Sequence, residues 1–199
     1  MKPQMLDKET SAIENILLTQ GKHVDVLEWG SGGSTVYFTR FLQGKGISYT
    51  WTSVEFNKVW HEKISNTLKD DKNVSIALFD VGNTNVKQPD IPMNEYVAYP
   101  STLGKKYDVI LVDGRKRRRC LLEASKMLKP GGVVLLHDAR RAHYHSSFSA
   151  YPDSRMVLWT GLWVGKLEDP GFVRRIINLV EYWCFRTYIF SFRFQPRFK

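Results

Sequence analysis

The chain has 199 residues, 43% hydrophobic and 25% charged, the balance of one globular domain with a full core rather than of a disordered or fibrous chain. Its two cysteines, Cys120 and Cys184, stand far apart in apolar contexts, so neither a disulfide framework nor a cysteine metal site is expected, and a reducing, cytoplasmic setting is the simpler expectation. The formal charge of +9 gathers in Arg115–Arg119, Arg140–Arg141, Arg174–Arg175 and the stretch from Arg186 to Lys199, which suits anionic partners or a solvated basic face.

In chain order, residues 5–20 predict an amphipathic helix with Ile13, Ile16 and Leu17 on one face, a polar start unlike a signal peptide. A first strand over 24–29, with Val24, Val26 and Leu27, runs into Gly30-Ser31-Gly32-Gly33, and a helix over 34–43 opens on Ser34 and Thr35. Such a glycine-rich strand-to-helix turn is the first half of a nucleotide-binding βαβ unit. Glu28 ahead of the turn, and Thr35 where a third glycine would stand, depart from the dinucleotide fingerprint and disfavour a nicotinamide-dependent dehydrogenase.

A second strand over 49–55 ends on Glu55, and a helix over 58–68 follows. The third strand, 74–80, ends on Asp80. The segment 81–105, with Pro89, Pro92 and Pro100, has no period and reads as a long irregular connection, whose Asn94, Tyr96 and Tyr99 are candidates to cover a substrate. A fourth strand over 107–113 ends on Asp113, a helix spans 117–128, Lys129-Pro-Gly-Gly132 reads as a stop and turn, and a fifth strand over 133–137 leads to His137-Asp138. Residues 155–166 read as strand material with a hairpin about Thr160-Gly161.

From Gly171 to Phe185, Phe172, Ile176, Val180 and Trp183 share one helical face, opposite Arg174, Arg175, Asn178 and Glu181. Such a face packs on its own domain; a dimer contact or peripheral membrane contact is the alternative. Tyr188–Gln195 alternates as a strand, and the apolar stretch is too short and too charged to span a bilayer.

Strands alternating with helices predict an α/β, Rossmann-like, doubly wound and mostly parallel sheet of about seven strands with helices on both faces. One domain is expected over 1–199, with its core at 24–166 and an extension over 167–199. Ligands of such sheets bind beyond the carboxyl ends of the strands. Glu28, Glu55, Asp80, Asp113 and His137-Asp138 all fall at that edge. Carboxylates there need partners or solvent, and a cleft supplies both.

The order Glu28-x-Gly30-x-Gly32-Gly33-Ser34-Thr35, then Glu55, Asp80 and Leu128-Lys-Pro-Gly-Gly132, resembles the class I S-adenosylmethionine methyltransferases over about residues 24–138. The resemblance implies S-adenosylmethionine as methyl donor and S-adenosylhomocysteine as product. It places Glu28 near the methionine end, Gly30, Ser31, Gly32 and Ser34 against the cofactor, Glu55 on the ribose hydroxyls, Asp80 on the adenine amino group and Val81 against the ring. A carboxylate suits a vicinal diol because it offers two acceptor oxygens.

Asp113-Gly114 and His137-Asp138 also resemble the O-methyltransferase branch related to the catechol and caffeoyl-CoA enzymes, which hold magnesium with acids after the fourth and fifth strands and then an Asn. Ala139 stands in place of that Asn, so no metal is expected. Val112-Asp-Gly-Arg115 lacks the Asn/Asp-Pro-Pro-aromatic motif of amino-methylating nucleic-acid enzymes, and the glutamate pair of the protein arginine enzymes is missing. The expected activity is methyl transfer to a hydroxyl of a sugar or glycan, with Asp113, His137 and Asp138 as catalytic candidates. His137 has the pKa range of a general base, and Asp113 stands either to orient it or to bind an acceptor hydroxyl. On a helix, Arg115, Arg118 and Arg119 would share one side and suit an anionic acceptor such as a nucleotide-sugar or lipid-linked glycan; His143 and His145 read as surface residues. A metal-assisted enzyme for aromatic hydroxyls, and an RNA-binding or RNA-methylating protein with steeply salt-dependent binding, are the alternatives.

Overall fold

The computed structural model describes residues 1–82, 92–157 and 160–193. Strand β1 (His23–Trp29) lies inside the sheet, parallel to β2 (Ser48–Glu55) on one side and β4 (Tyr107–Val112) on the other. Beyond them come β3 (Val74–Leu78) and β5 (Leu128–Leu136), both parallel, and then β7 (Trp163–Lys166) and β6 (Asp153–Met156), paired antiparallel. The order is β3-β2-β1-β4-β5-β7-β6.

The central strands are apolar on both faces because helices cover both. Leu27, Trp29, Ile110, Val112, Val134 and Leu136 point to one side, where α5 (Arg117–Ala124) supplies Cys120 and Leu121 and a 3-10 helix, Ala142–Ala150, supplies Tyr144 and Phe148. Val24, Val26, Val109, Leu111, Val133 and Leu135 point to the other, against Ile13 and Leu17 of α1 (Asp7–Leu18) and Phe38 and Leu42 of α2 (Gly33–Gly44). Ile64 of α3 (Lys58–Thr67) packs with Val36 beside them.

The structure corrects four readings. First, part of 81–105 is helical: α4 spans Asn94–Thr102 with Pro100 inside it. Proline has no N–H for the carbonyl four residues back, and here the indole N–H of Trp29 takes the Tyr96 carbonyl instead, at 3.1 Å. Residues 83–91 lie outside the described residues. Second, α5 ends at Ala124, and Lys129-Pro-Gly-Gly132 lies within β5, where the pairing slips from Tyr107–Leu128 to Val109–Val133. Pro130 cannot donate to the ladder and Gly131 takes φ 78°, so the strand bulges there instead of turning back.

Third, helix α6 runs over Gly171–Arg193, through most of the expected strand 188–195; Phe194 and Gln195 lie outside the described residues. Fourth, its apolar face does not pack on the domain. Asp153 on the edge strand accepts Asn178 Nδ2 at 2.9 Å and lies 3.9 Å from Arg174, so the polar face turns inward. Among the described residues no helix is long and apolar enough to cross a membrane.

Candidate active site

At the end of β1, Gly30 takes φ 98° and donates its N–H to the Val54 carbonyl at 2.9 Å. A Cβ at Gly30 would stand 2.6 Å from the Gly114 Cα, so the β1 and β4 ends close up only without one. Gly30→Ala should therefore lose about 3 kcal/mol or more of stability in urea unfolding. A loss under about 1 kcal/mol would mean that the two strand ends separate freely.

Glu28 lies beneath this turn, fully buried. Its Oε1 accepts the Ser34 hydroxyl at 2.5 Å, and its Oε2 accepts the Thr35 hydroxyl at 2.6 Å, the Ser53 hydroxyl at 2.9 Å and the Trp51 indole N–H at 3.0 Å. The Thr35 hydroxyl accepts the Gly32 N–H at 2.9 Å, so one acid and one hydroxyl hold the turn and the start of α2 together. Burial pushes the Glu28 carboxyl up to about 7 against the pull of its donors. Glu28 does not line the cavity above the turn.

That cavity, of about 590 Å³, is bounded by the turn 30–34, Glu55 and Phe56, Asp113, Arg115, Arg117, His137 and Asp138, with Met1, Lys2 and Gln4 along one side. Glu55 is 2% exposed; its Oε2 accepts the Ser31 hydroxyl at 3.0 Å and its Oε1 the N–H groups of Phe56 and Asn57 at 2.9 and 2.8 Å. Burial raises its pKa while these donors resist. The site thus collects Gly30, Ser31, Gly32, Ser34, Glu55, Asp113, His137 and Asp138. It does not collect Asp80 and Val81. Strand β3 stops at Leu78, and the pair lies with Phe79 and Tyr96 in a separate cavity of about 540 Å³, Asp80 accepting the Gly82 N–H at 2.9 Å.

Asp113 Oδ1 lies 2.9 Å from His137 Nδ1, and Glu9 Oε2 lies 3.4 Å from His137 Nε2. Burial works to lower the His137 pKa, but the hydrogen bond and charge of Asp113, then Glu9 and Asp138, outweigh it and hold the ring above its usual value. Arg117 reaches Asp113 at 3.0 Å and Asp138 at 3.5 Å, and donates to the carbonyls of Asp113, Gly114 and His137. Asp138 sits in the left-handed region at φ 57°, uncommon for a non-glycine residue and here at a site. On the far side of His137 and Asp138 a further cavity of about 530 Å³ is lined by Glu9, Arg140, Arg141 and Gly161.

This donor set does not fit a divalent ion. The Arg117 guanidinium bridges the two carboxylates that would hold one, and among the described residues no three His, Cys, Asp or Glu form a metal-binding group. The same residues fit a nucleoside bearing an amino acid. The cavity volume falls within the roughly 300–1,000 Å³ of small-ligand pockets, a buried carboxylate stands at the β2 end, and Gly32 leaves open space beside the turn.

Two members of the site escaped sequence reasoning. Glu9 stands four residues before Ile13 on the apolar stripe of α1, and a carboxylate there was the available signal. Arg117 lay inside a run of five basic residues that sequence cannot tell apart. Arg115 and Arg119 go to different partners instead of forming one basic side. Arg115 stacks over Phe56 at 5.1 Å, Arg119 binds Asn94 and the Pro92 carbonyl, and the Arg118 carbonyl accepts Ser147. Asn94, Tyr96 and Tyr99 do not cover the cavity; Tyr96 is core. His143 is exposed and His145 half-buried, both away from the site.

A family model described as a methyltransferase domain matches residues 27–139, more than half of the chain. The fold is similar to that of a methyltransferase-like protein from Silicibacter pomeroyi, at 22% identity, 90% coverage of this chain, 97% of that one and a TM-score of 0.60. It is also similar to the CMeT domain of the citrinin polyketide synthase, at 12% identity, 76% coverage of this chain, 48% of that one and a TM-score of 0.52. No curated protein matches the sequence significantly. With this match, this strand order and a nucleoside-sized cavity at the carboxyl edge, the chain belongs to the methyltransferase-domain family, as a class I enzyme whose methyl donor is S-adenosylmethionine.

Proposed function

We propose that the enzyme methylates a hydroxyl group, that of a sugar or glycan bearing negative charge. The observation behind this reading is the position of His137. Asp113 holds it at 2.9 Å in the wall between two cavities, and it borders both. The cavity above the Gly30–Ser34 turn is assigned to the donor, with Glu55 on the ribose, and the cavity beyond His137 to the acceptor. Arg140 and Arg141 border the second, which suits a phosphate or carboxylate on the acceptor.

Bound S-adenosylmethionine supplies a sulfonium methyl carbon that is already electrophilic, so the protein has chiefly to align the acceptor and remove its proton. When the ring is neutral, Asp113 on Nδ1 fixes the tautomer that leaves Nε2 of His137 unprotonated on the acceptor side. Nε2 then takes the hydroxyl proton as the oxygen is methylated. Glu9, 3.4 Å from that nitrogen, stabilises the imidazolium that results. Arg117 keeps Asp113 and Asp138 from swinging away.

His137 must be neutral to act as base, so kcat/KM should rise with pH through a value above the usual 6.5. Asp113→Asn removes a charge that raises the ring's pKa and should move that rise to lower pH. His137→Gln should lower kcat on the order of 10²- to 10⁴-fold with donor binding intact. Methyl transfer from labelled S-adenosylmethionine to a panel led by nucleotide-sugars reads all three. A flat pH profile, or full activity in His137→Gln, would sink the assignment of the base. Transfer only to aromatic hydroxyls would replace the sugar reading.

A further inference from the structure

Helix α6 presents its apolar side to solvent. Phe172 is 78% exposed, Val173 70%, Leu179 59% and Trp183 64%. Arg174 and Asn178 are spent on Asp153, and the Glu181 Oε2 is buried against the domain. We propose that α6 is an in-plane anchor that seats the enzyme on an anionic lipid bilayer.

Three features select this occupant. With 23 residues the helix is about 35 Å long at 1.5 Å per residue, enough to lie along a bilayer interface as an amphipathic segment. Its exposed side mixes Phe and Trp with aliphatic residues, the composition that inserts at the headgroup boundary. The charge is complementary: Arg174 and Arg175 are held by Asp153 and Asp169, while beyond Glu181 the sequence adds Arg186, Arg193, Arg197 and Lys199 and no acid. Anionic headgroups attract such a segment, whereas a second copy, itself at +9, would repel it. The proposal does not depend on which hydroxyl the enzyme methylates.

Co-sedimentation of the full chain with vesicles tests it, comparing pure phosphatidylcholine with phosphatidylcholine containing about a third phosphatidylserine. Wild type should bind the anionic vesicles about tenfold or more tightly than the neutral ones, and added salt should weaken this. A chain carrying Phe172→Ser, Ile176→Ser and Val180→Ser alters only exposed positions, so it should keep its unfolding midpoint and its binding of S-adenosylhomocysteine. It should lose vesicle binding about tenfold or more. Absence of wild-type binding to anionic vesicles overturns the proposal, as does equal binding by the triple variant. A wild-type dimer in sedimentation velocity that the triple variant dissolves would give the face to a second copy, and would overturn it too.

Discussion

Glu55→Ala will bind S-adenosylhomocysteine on the order of a hundredfold more weakly than wild type in calorimetric titration, a loss of about 2.7 kcal/mol. The size follows from burial. The carboxylate is 2% exposed and is already the acceptor for Ser31 Oγ and two backbone N–H groups. Truncation leaves those donors, and the ribose hydroxyls they help to receive, without a partner in a place that water enters poorly. Glu55→Gln should fall between the two, since it keeps one acceptor oxygen but gives the other position to an amide donor. Unchanged affinity in Glu55→Ala would place the cofactor elsewhere, and the role given to His137 would fall with it. A weakened titration, with an unfolding midpoint lowered by the stranded donors, is the outcome expected.

The second large effect is on stability. Glu28→Ala should cost about 4 kcal/mol in urea unfolding, because Ser34, Thr35, Ser53 and Trp51 all lose a buried acceptor at once. The same acid gives the fold a pH dependence. Its pKa is 4.5 in the open chain and about 7 when folded, so its contribution is complete below 4.5 and is lost as pH rises through about 7. His137 acts in the same direction: its folded pKa is raised, so its contribution is complete below 6.5 and is lost above the folded value. The urea midpoint should therefore fall from about pH 5 to about pH 8, with Glu28 contributing up to about 3 kcal/mol. Glu28→Gln should flatten the part of the fall below about pH 7. A midpoint that climbs over this range would refute the account of Glu28.

The sheet was legible because its signals are local. Val24–Trp29, Val109–Val112 and Val133–Leu136 are apolar on alternate sides for a simple reason, that both sides are covered, and Asp113 and His137 sit where the last two runs stop. What sequence misread depends on residues far away in the chain. Pro100 argues against a helix unless one knows that the Trp29 indole will take the orphaned carbonyl of Tyr96, 67 positions further on. The outward face of α6 was decided by Asp153, 25 positions before Asn178. The third strand, expected to reach Asp80, stops two residues sooner at Leu78. Among five consecutive basic residues, only the spatial neighbourhood of Asp113 and Asp138 singles out Arg117.

Glu9 has a consequence in time. The N–H it accepts at 2.6 Å belongs to Gly161, 152 positions further on. While the ribosome is still making the intervening chain, α1 has its carboxylate among apolar neighbours with only the nearby Leu6 N–H to meet it. Docking α1 on the half-made sheet would bury an under-satisfied charge, which disfavours docking until Gly161 has emerged. Seating of α1 therefore waits on a residue 152 positions further along, and the wall that separates the two cavities closes only after Gly161 has been made.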